Sequence, residues 1–181
     1  MSSPDSPSVP SRPWHPVPHF VAPAPDVAAA VMDVYQAVDA RVAGLGAACR
    51  ACGSCCDFPR SGQVLFATAL ELDVLTAWAA AHRPLQADEA GAALRSGHCP
   101  FWRQGRCLAR PARLLGCRTY FCDRSAAQTL QEACEESLRQ VDALAARGGR
   151  VRWYGPAVEY LLGNMSHLIP SLRPHKNETT P

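Results

Sequence analysis

Apolar residues recur at helical spacing from residue 26 onward, and the first such run is the clearest. It places five valines and a tyrosine on one face and stops at two glycines, Gly44 and Gly46, which predicts a helix of about five turns. The apolar positions are Val27, Val31, Val34, Tyr35, Val38 and Val42. This helix leads directly to Cys49.

Local signals predict further helices downstream. Thr68 and Glu71 form a capping-box pair, which predicts that a second helix begins at Thr68. A weaker pattern predicts a short helix over 87–95. A long apolar stripe over 125–147, ended by glycines 148 and 149, predicts the longest helix of the second half.

The remaining segments are shorter and less regular. A last short helix is expected near Pro156, because proline suits the first helical turn. Gln104 and Gly105 predict the turn of a hairpin-like segment within 99–109. The pattern as a whole predicts a mainly α fold, a single small helical domain with irregular cysteine-rich loops stapled by metal and little regular sheet.

Composition divides the chain into a central domain and two tails. Residues 1–25 contain eight of the sixteen prolines and several serines, a composition typical of a disordered tail. The cysteine-cluster domain is predicted over 26–165, and the polar end, 166–181, is predicted to be a flexible tail.

Charge and hydropathy exclude two classes of partner. The formal net charge of +2 gives the chain no strongly basic face for nucleic acid. No run approaches the ~18 apolar residues of a membrane span, and residues 1–20 do not resemble a signal peptide. We therefore expect a cytoplasmic protein in a reducing compartment, where clustered cysteines bind metal more often than they form disulfides.

The first cysteine cluster is Cys49, Cys52, Cys55 and Cys56. The spacing C-x2-C lets two sulfurs face one ion, and C-x2-C-x2-C also matches loops that hold a [4Fe–4S] cluster. Adjacent side chains diverge, so Cys55 and Cys56 are not expected to bind the same mononuclear ion. This pair implies a second site, a multinuclear cluster or one spare thiol.

The second group is Cys99, Cys107, Cys117 and Cys122. Together the two groups supply eight sulfurs, enough for two four-thiolate zinc sites or for one [4Fe–4S] cluster with ligands to spare. A site of either kind carries a charge of about −2. Six arginines are interleaved with the second group: Arg103, Arg106, Arg110, Arg113, Arg118 and Arg124. These arginines have three possible interpretations. They could lower the pKa of nearby thiols and so favour the thiolate form, they could form a solvated basic face, or they could line a pocket for an anionic small molecule.

Other residues near the clusters have simpler interpretations. Cys134 lies on the apolar face of the long predicted helix, where an inert buried thiol is common. His98 is read as a loop histidine, with metal ligation as the alternative. Glu71 is read as a helix cap, with a carboxylate near the metal as the alternative. The aromatic residues Phe101, Trp102, Tyr120 and Phe121 are expected to shield the site.

These motifs resemble the CxxCxxCC cysteine-cluster family, also called YkgJ-like, which is described as a zinc- or iron-chelating domain. The matching residues are Cys49, Cys52-Gly53, Cys55-Cys56, Cys99-Pro100-Phe101, Gly105-Arg106-Cys107, Arg113, Cys117-Arg118, Tyr120 and Cys122. Glu71 also stands where the family tends to have a glutamate that opens a helix. The resemblance covers about residues 49–122 and implies metal chelation.

Two positions depart from the family pattern. The chain has Arg113-Leu114 where an arginine–proline pair tends to precede the seventh cysteine, and Ala109 where a tyrosine often follows the sixth. Neither position is a predicted ligand, so the departures bear on a tyrosine-dependent activity and not on chelation.

Three functions follow from the cysteines. The first is a metal-chelating protein that binds zinc, with closed sites that present a surface to a protein partner. The second is an iron–sulfur protein that acts as an oxidoreductase or as a maturation or modification enzyme. The third is a thiol redox or metal-storage protein. The sequence assigns no catalytic residue and leaves open whether the protein is an enzyme.

Overall fold

A computed structural model gives the fold, and the structure describes residues 16–45, 53, 56–120 and 125–172. Helices dominate these residues, and the predicted mainly α, single small domain is confirmed. The helices are α1 Pro25–Gly44, α2 Phe58–Ser61, α3 Ala69–His82, α4 Ala87–Arg95, α5 Leu115–Thr119, α6 Ala127–Arg147, α7 Ala157–Gly163 and α8 Met165–Leu168. Short 3-10 helices span Arg110–Ala112 and Pro170–Leu172.

The strands are short and form two separate two-stranded sheets. They are β1 Phe66–Thr68, β2 Trp102–Arg103, β3 Arg106–Cys107 and β4 Tyr154–Pro156. β1 pairs antiparallel with β4, and β2 with β3. The predicted hairpin is confirmed: Gln104 and Gly105 turn between β2 and β3 with φ of 46° and 79°. Two consecutive positive φ values match the right-handed twist of a two-residue hairpin.

The predicted helix starts and ends are confirmed where local chemistry specifies them. α1 ends at Gly44, and its face of valines and Tyr35 is buried. α3 follows the capping box of Thr68 and Glu71. α4 spans the predicted range, and α6 ends where Gly149 takes a φ of 65°. Near Pro156 the proline is the N-cap residue, and the helix begins one residue later.

Helix α3 lies at the centre of the domain, between two hydrophobic cores. Leu72, Leu75 and Ala79 pack with α4, α7, α8 and the β2–β3 hairpin. Leu70 and Val74 pack with α1, α5 and α6. A helix that is buried on all sides is expected to be apolar all round. The polar residues of α3 that are buried, Glu71, Asp73 and Thr76, therefore need partners of their own.

The segment 16–24 has no regular structure, yet polar contacts hold it against the domain. Asp73 accepts a hydrogen bond from the Val21 N–H at 3.1 Å, and Asn164 accepts one from the Phe20 N–H at 2.7 Å. Arg150 donates to the His19 carbonyl at 2.8 Å. Of the tail predicted over 1–25, residues 1–15 lie outside the described residues.

The core continues past the boundary that we predicted at residue 165. Leu168 and Ile169 are fully buried against the core around α3, because their apolar side chains cover surface that α3 and α7 leave open. Residues 173–181 lie outside the described range. Within the part that the structure describes, no helix combines the length and apolarity needed to cross a bilayer.

Candidate metal centre

Four of the eight predicted ligands lie in the described part of the chain. Cys56, the last residue of the first cysteine cluster, precedes α2, and Cys99 precedes the β2–β3 hairpin. Cys107 lies on β3, and Cys117 lies in α5. The other four, Cys49, Cys52, Cys55 and Cys122, lie outside the described residues, so their placement stays a prediction.

The hairpin that carries Cys107 is in close contact with Gly53, which lies between Cys52 and Cys55 in the sequence. Gly53, with a φ of +76°, approaches so closely that a Cβ there would lie 2.6 Å from the Gly105 Cα and 2.7 Å from the Trp102 Nε1. Its carbonyl accepts hydrogen bonds from the Cys56 N–H at 3.0 Å and the Asp57 N–H at 3.2 Å. Only glycine combines this φ with such an approach, so Gly53 joins the two cysteine-rich stretches.

A second contact joins the same two stretches. The Nε2 atom of His98 lies 3.4 Å from the Asp57 Oδ1 atom. The other ring nitrogen is 2.8 Å from the Ser96 hydroxyl, and the ring stacks on Trp102 with centroids 6.2 Å apart. His98 therefore has two polar neighbours in this structure, as expected for a loop histidine. Asp57 was not singled out by the sequence, and no local pattern marks it.

Electrostatic interactions link the four described candidate ligands. The pKa of Cys99 is raised to about 12, mainly by burial and to a smaller extent by Cys107 and Cys56. Burial is also the main cause that raises the pKa of Cys107, followed among the thiols by Cys56. The pKa of Cys117 is raised by burial and then by Cys99, Cys107 and Cys56. Thiols from three separate segments therefore lie within electrostatic reach of one another.

Three of these thiols line one cavity of about 30 Å³. Its other walls are mainly apolar, and Arg113 contributes the charged side chain. The apolar lining residues are Phe58, Leu65, Leu75, Phe101, Ala109, Leu114, Ala157, Val158 and Leu161. Phe101 is 1% exposed and lines the cavity as the predicted aromatic shield. Thiolates in a water-poor setting suit zinc and iron as ligands, so the donor chemistry fits either group.

A buried carboxylate fixes the helix that carries Cys117. The Glu71 Oε2 atom accepts from the Thr68 N–H and hydroxyl, both at 3.0 Å. Its Oε1 atom accepts from the Leu115 N–H, the first residue of α5, at 2.9 Å. Glu71 is thus confirmed as a helix cap, and it caps two helices. Burial raises the pKa of Glu71, against these hydrogen bonds, which lower it.

Arg118 fixes the same helix from the other side. Its guanidinium lies 4.3 Å from the centre of the Tyr35 ring and donates to the carbonyls of Arg113 and Pro111, at 2.8 and 2.6 Å. It also forms an ion pair with Asp39 of α1. Asp39 was missed by the sequence analysis, because an acidic residue beside a valine face reads as solvent-exposed.

Cys134 is separate from the other described cysteines. It is half-buried on α6 and packs against the core formed by α1, α3, α5 and α6. Burial raises its pKa, a side-chain hydrogen bond with Thr119 lowers it, and the charges that act on it belong to Glu71 and Glu135. Its placement agrees with the interpretation of Cys134 as a core thiol.

Among the residues that the structure describes, no group of three or more His, Cys, Asp or Glu side chains has a metal-holding arrangement. Half of the predicted ligand set lies outside those residues, so metal binding and the identity of the ligands stay predictions. No family model, no curated protein and no solved structure matches the chain. The resemblance to the CxxCxxCC family likewise stays a prediction.

Proposed function

We propose that this protein is a metal-chelating protein that binds zinc or an iron–sulfur cluster through Cys49, Cys52, Cys55, Cys56, Cys99, Cys107, Cys117 and Cys122. One observation carries the proposal: Cys99, Cys107 and Cys117 line one small, mainly apolar cavity. The Gly53 contact with the hairpin supports it further, because Gly53 lies between two of the proposed ligands, Cys52 and Cys55, in the sequence.

Electrostatics explain why a cation suits this cavity. Burial is the main cause that raises the pKa of Cys99, Cys107 and Cys117, and neighbouring thiols raise the pKa of each as well. A divalent or higher cation offsets both effects, because the thiolate is the form that binds metal and the metal holds it deprotonated. When bound, zinc would supply a closed structural site, and an iron–sulfur cluster would supply electron transfer.

The same pKa values favour chelation over a thiol redox role. The reactive form of cysteine is the thiolate, and redox cysteines have low pKa values in exposed, electropositive sites. Cys99 and Cys117 have raised pKa values and lie in the cavity wall. Cys99, Cys107 and Cys117 are free thiols, which supports a reducing compartment such as the cytoplasm.

The test is metal analysis with an optical spectrum on full-length protein purified without oxygen. Stoichiometric zinc in a colourless protein is the result expected for a zinc protein. Iron, acid-labile sulfide and visible absorption that bleaches on reduction are expected for an iron–sulfur protein. Protein that stays metal-free after expression with added zinc or iron, and after reconstitution, would refute chelation.

A matched pair of variants tests the ligand assignment. Cys117→Ser removes a cavity thiol and is expected to lose most of the bound metal. Cys134→Ser removes a thiol of similar burial outside the cavity and is expected to retain it. Equal metal loss in both variants would show that the cavity cysteines are not the ligands.

A further inference from the structure

One hydrogen-bond donor at the cavity has no acceptor. The side chain of Arg113 is 11% exposed and lines the cavity beside Cys107 and Cys117. Its terminal NH2 group donates to the Asp39 Oδ1 atom at 3.0 Å. Its Nε–H is buried and has no partner within the described residues. A buried donor without an acceptor is destabilising, so such groups are rare.

The arrangement around Arg113 keeps this donor in place. Asp39 holds one end of the guanidinium and forms a second ion pair with Arg118. Arg118 also donates to the Arg113 carbonyl at 2.8 Å, which fixes the backbone. These contacts hold the guanidinium and the backbone of Arg113 in a position in which the Nε–H has no acceptor among the described residues.

Among the described residues that line the cavity with Arg113, the side chains that carry an acceptor atom are those of Cys99, Cys107 and Cys117. A neutral thiol is a weak acceptor, whereas a thiolate accepts charge-assisted hydrogen bonds. Of the cavity thiols, Cys107 and Cys117 lie close enough to Arg113 for its charge to act on them. A thiolate ligand at either position would offer this donor an acceptor.

We propose that the Nε–H of Arg113 is the hydrogen-bond donor to the thiolate sulfur of Cys107 or Cys117 in the metal-loaded protein. Arg113 is then a positioning residue that stabilises the anionic, metal-binding form of the cavity. This inference rests on the proposed function, because it requires that the cysteines bind metal. It concerns a residue that ligates nothing itself.

Two substitutions separate the hydrogen bond from the charge. Arg113→Lys keeps the positive charge but removes the Nε–H, because lysine carries a single terminal ammonium. Arg113→Met removes both. Arg110→Met is the matched control: Arg110 is exposed, and its charge also lowers the pKa of Cys107, yet it does not line the cavity.

The experiment is a Co²⁺ titration of reduced, metal-free, full-length protein under anaerobic conditions, with affinity measured by chelator competition. Second-layer hydrogen bonds to metal ligands are worth about 10–100-fold in affinity, so both Arg113 variants are expected to bind Co²⁺ at least about tenfold more weakly. Their sulfur-to-cobalt charge-transfer band is expected at longer wavelength, since the sulfur is richer in electron density without the hydrogen bond. Arg110→Met is expected to leave the band unmoved.

The outcomes distinguish the two proposals. If the wild-type protein binds Co²⁺ but Arg113→Lys has the same affinity and the same band, the inference is overturned and chelation stands. If Arg110→Met weakens binding as much as Arg113→Met while Arg113→Lys binds as tightly as the wild type, long-range charge and not the Nε–H is responsible, which also overturns it. If the wild-type protein binds no metal, both proposals fall. Circular dichroism identifies a variant that does not fold, and Arg113→Lys, which keeps a cation beside Asp39, remains the decisive one.

Discussion

Replacing Glu71 with alanine should destabilise two helices at once. Glu71 is 1% exposed, and its carboxylate is the acceptor for three donors. Two of these belong to Thr68, at the start of α3, and the third is the N–H of Leu115, at the start of α5. Alanine removes every acceptor and leaves both backbone N–H groups buried.

The magnitude follows from the number of groups that lose a partner. Each buried N–H left without an acceptor costs about 1–3 kcal/mol, and loss of a capping interaction costs about 1 kcal/mol. Removing a buried carboxylate also recovers part of its desolvation cost. We therefore expect Glu71→Ala to lower the free energy of unfolding by about 3 kcal/mol, a large share of the roughly 5–15 kcal/mol typical of a domain.

The assay is urea denaturation of metal-free protein at pH 7, followed by circular dichroism. Glu89→Ala is the control, because Glu89 also lies in the first turn of a helix but is exposed, and its partner Arg103 lies at 2.9 Å. An exposed pair is worth at most about 1 kcal/mol. If Glu71→Ala costs no more than Glu89→Ala, the double cap is not a stabilising feature and the argument fails.

Three further predictions concern buried groups. Gly53→Ala should lower metal retention without loss of helix content, measured by metal analysis and circular dichroism, because its Cβ would collide with the hairpin; Gly44→Ala, where a Cβ meets nothing within 4 Å, should retain the metal. Asp73→Ala should cost about 3–5 kcal/mol in urea denaturation, since it strands a buried arginine, whereas the exposed Asp88→Ala should cost under about 1 kcal/mol. Burial raises the pKa of the Glu71 carboxyl above 4.5, so the folded state binds the carboxyl proton more tightly than the unfolded chain does. The contribution of Glu71 to stability therefore falls as the pH rises from 4.5 through the raised pKa of the folded state. The stability difference between wild type and Glu71→Gln should therefore shrink from pH 4.5 upward, and a difference that grows would contradict this.

The longer helices could be predicted from sequence because their ends depend on neighbouring residues. The capping box at Thr68 and the glycines that end α1 and α6 act within one helical turn, so a single sequence contains the information. The hairpin turn at Gln104 and Gly105 is local for the same reason.

The elements that escaped prediction depend on distant partners. α5 has five residues, too few for a periodic pattern, and its first N–H is capped by Glu71 from another helix. β1 and β4 have three residues each, and they pair although most of the domain's sequence lies between them. None of these three elements has a sequence signal of its own.

The candidate metal centre likewise has some features that the sequence predicts and others that it does not. Spacing in the sequence identified the eight cysteines as candidate ligands. The contact of Gly53 with the hairpin could not be predicted, because it joins residues far apart in the chain. The double role of Glu71 and the ion pair of Asp39 and Arg118 were missed for the same reason: a cap or an ion pair between elements produces no periodic sequence pattern.

The contacts that hold the cavity also bear on what metal does for the fold. α5, which carries Cys117, is fixed by Glu71 and Arg118, and neither contact uses a sulfur atom. The hairpin that carries Cys107 is closed by its own turn and docked through Gly53. Small zinc domains that lack such contacts are unfolded without metal, and there the binding energy is spent on folding. Here Cys107 and Cys117 are held in place by hydrogen bonds and packing. Under the proposed function, more of the binding energy would therefore be available for metal affinity and for selection among metals.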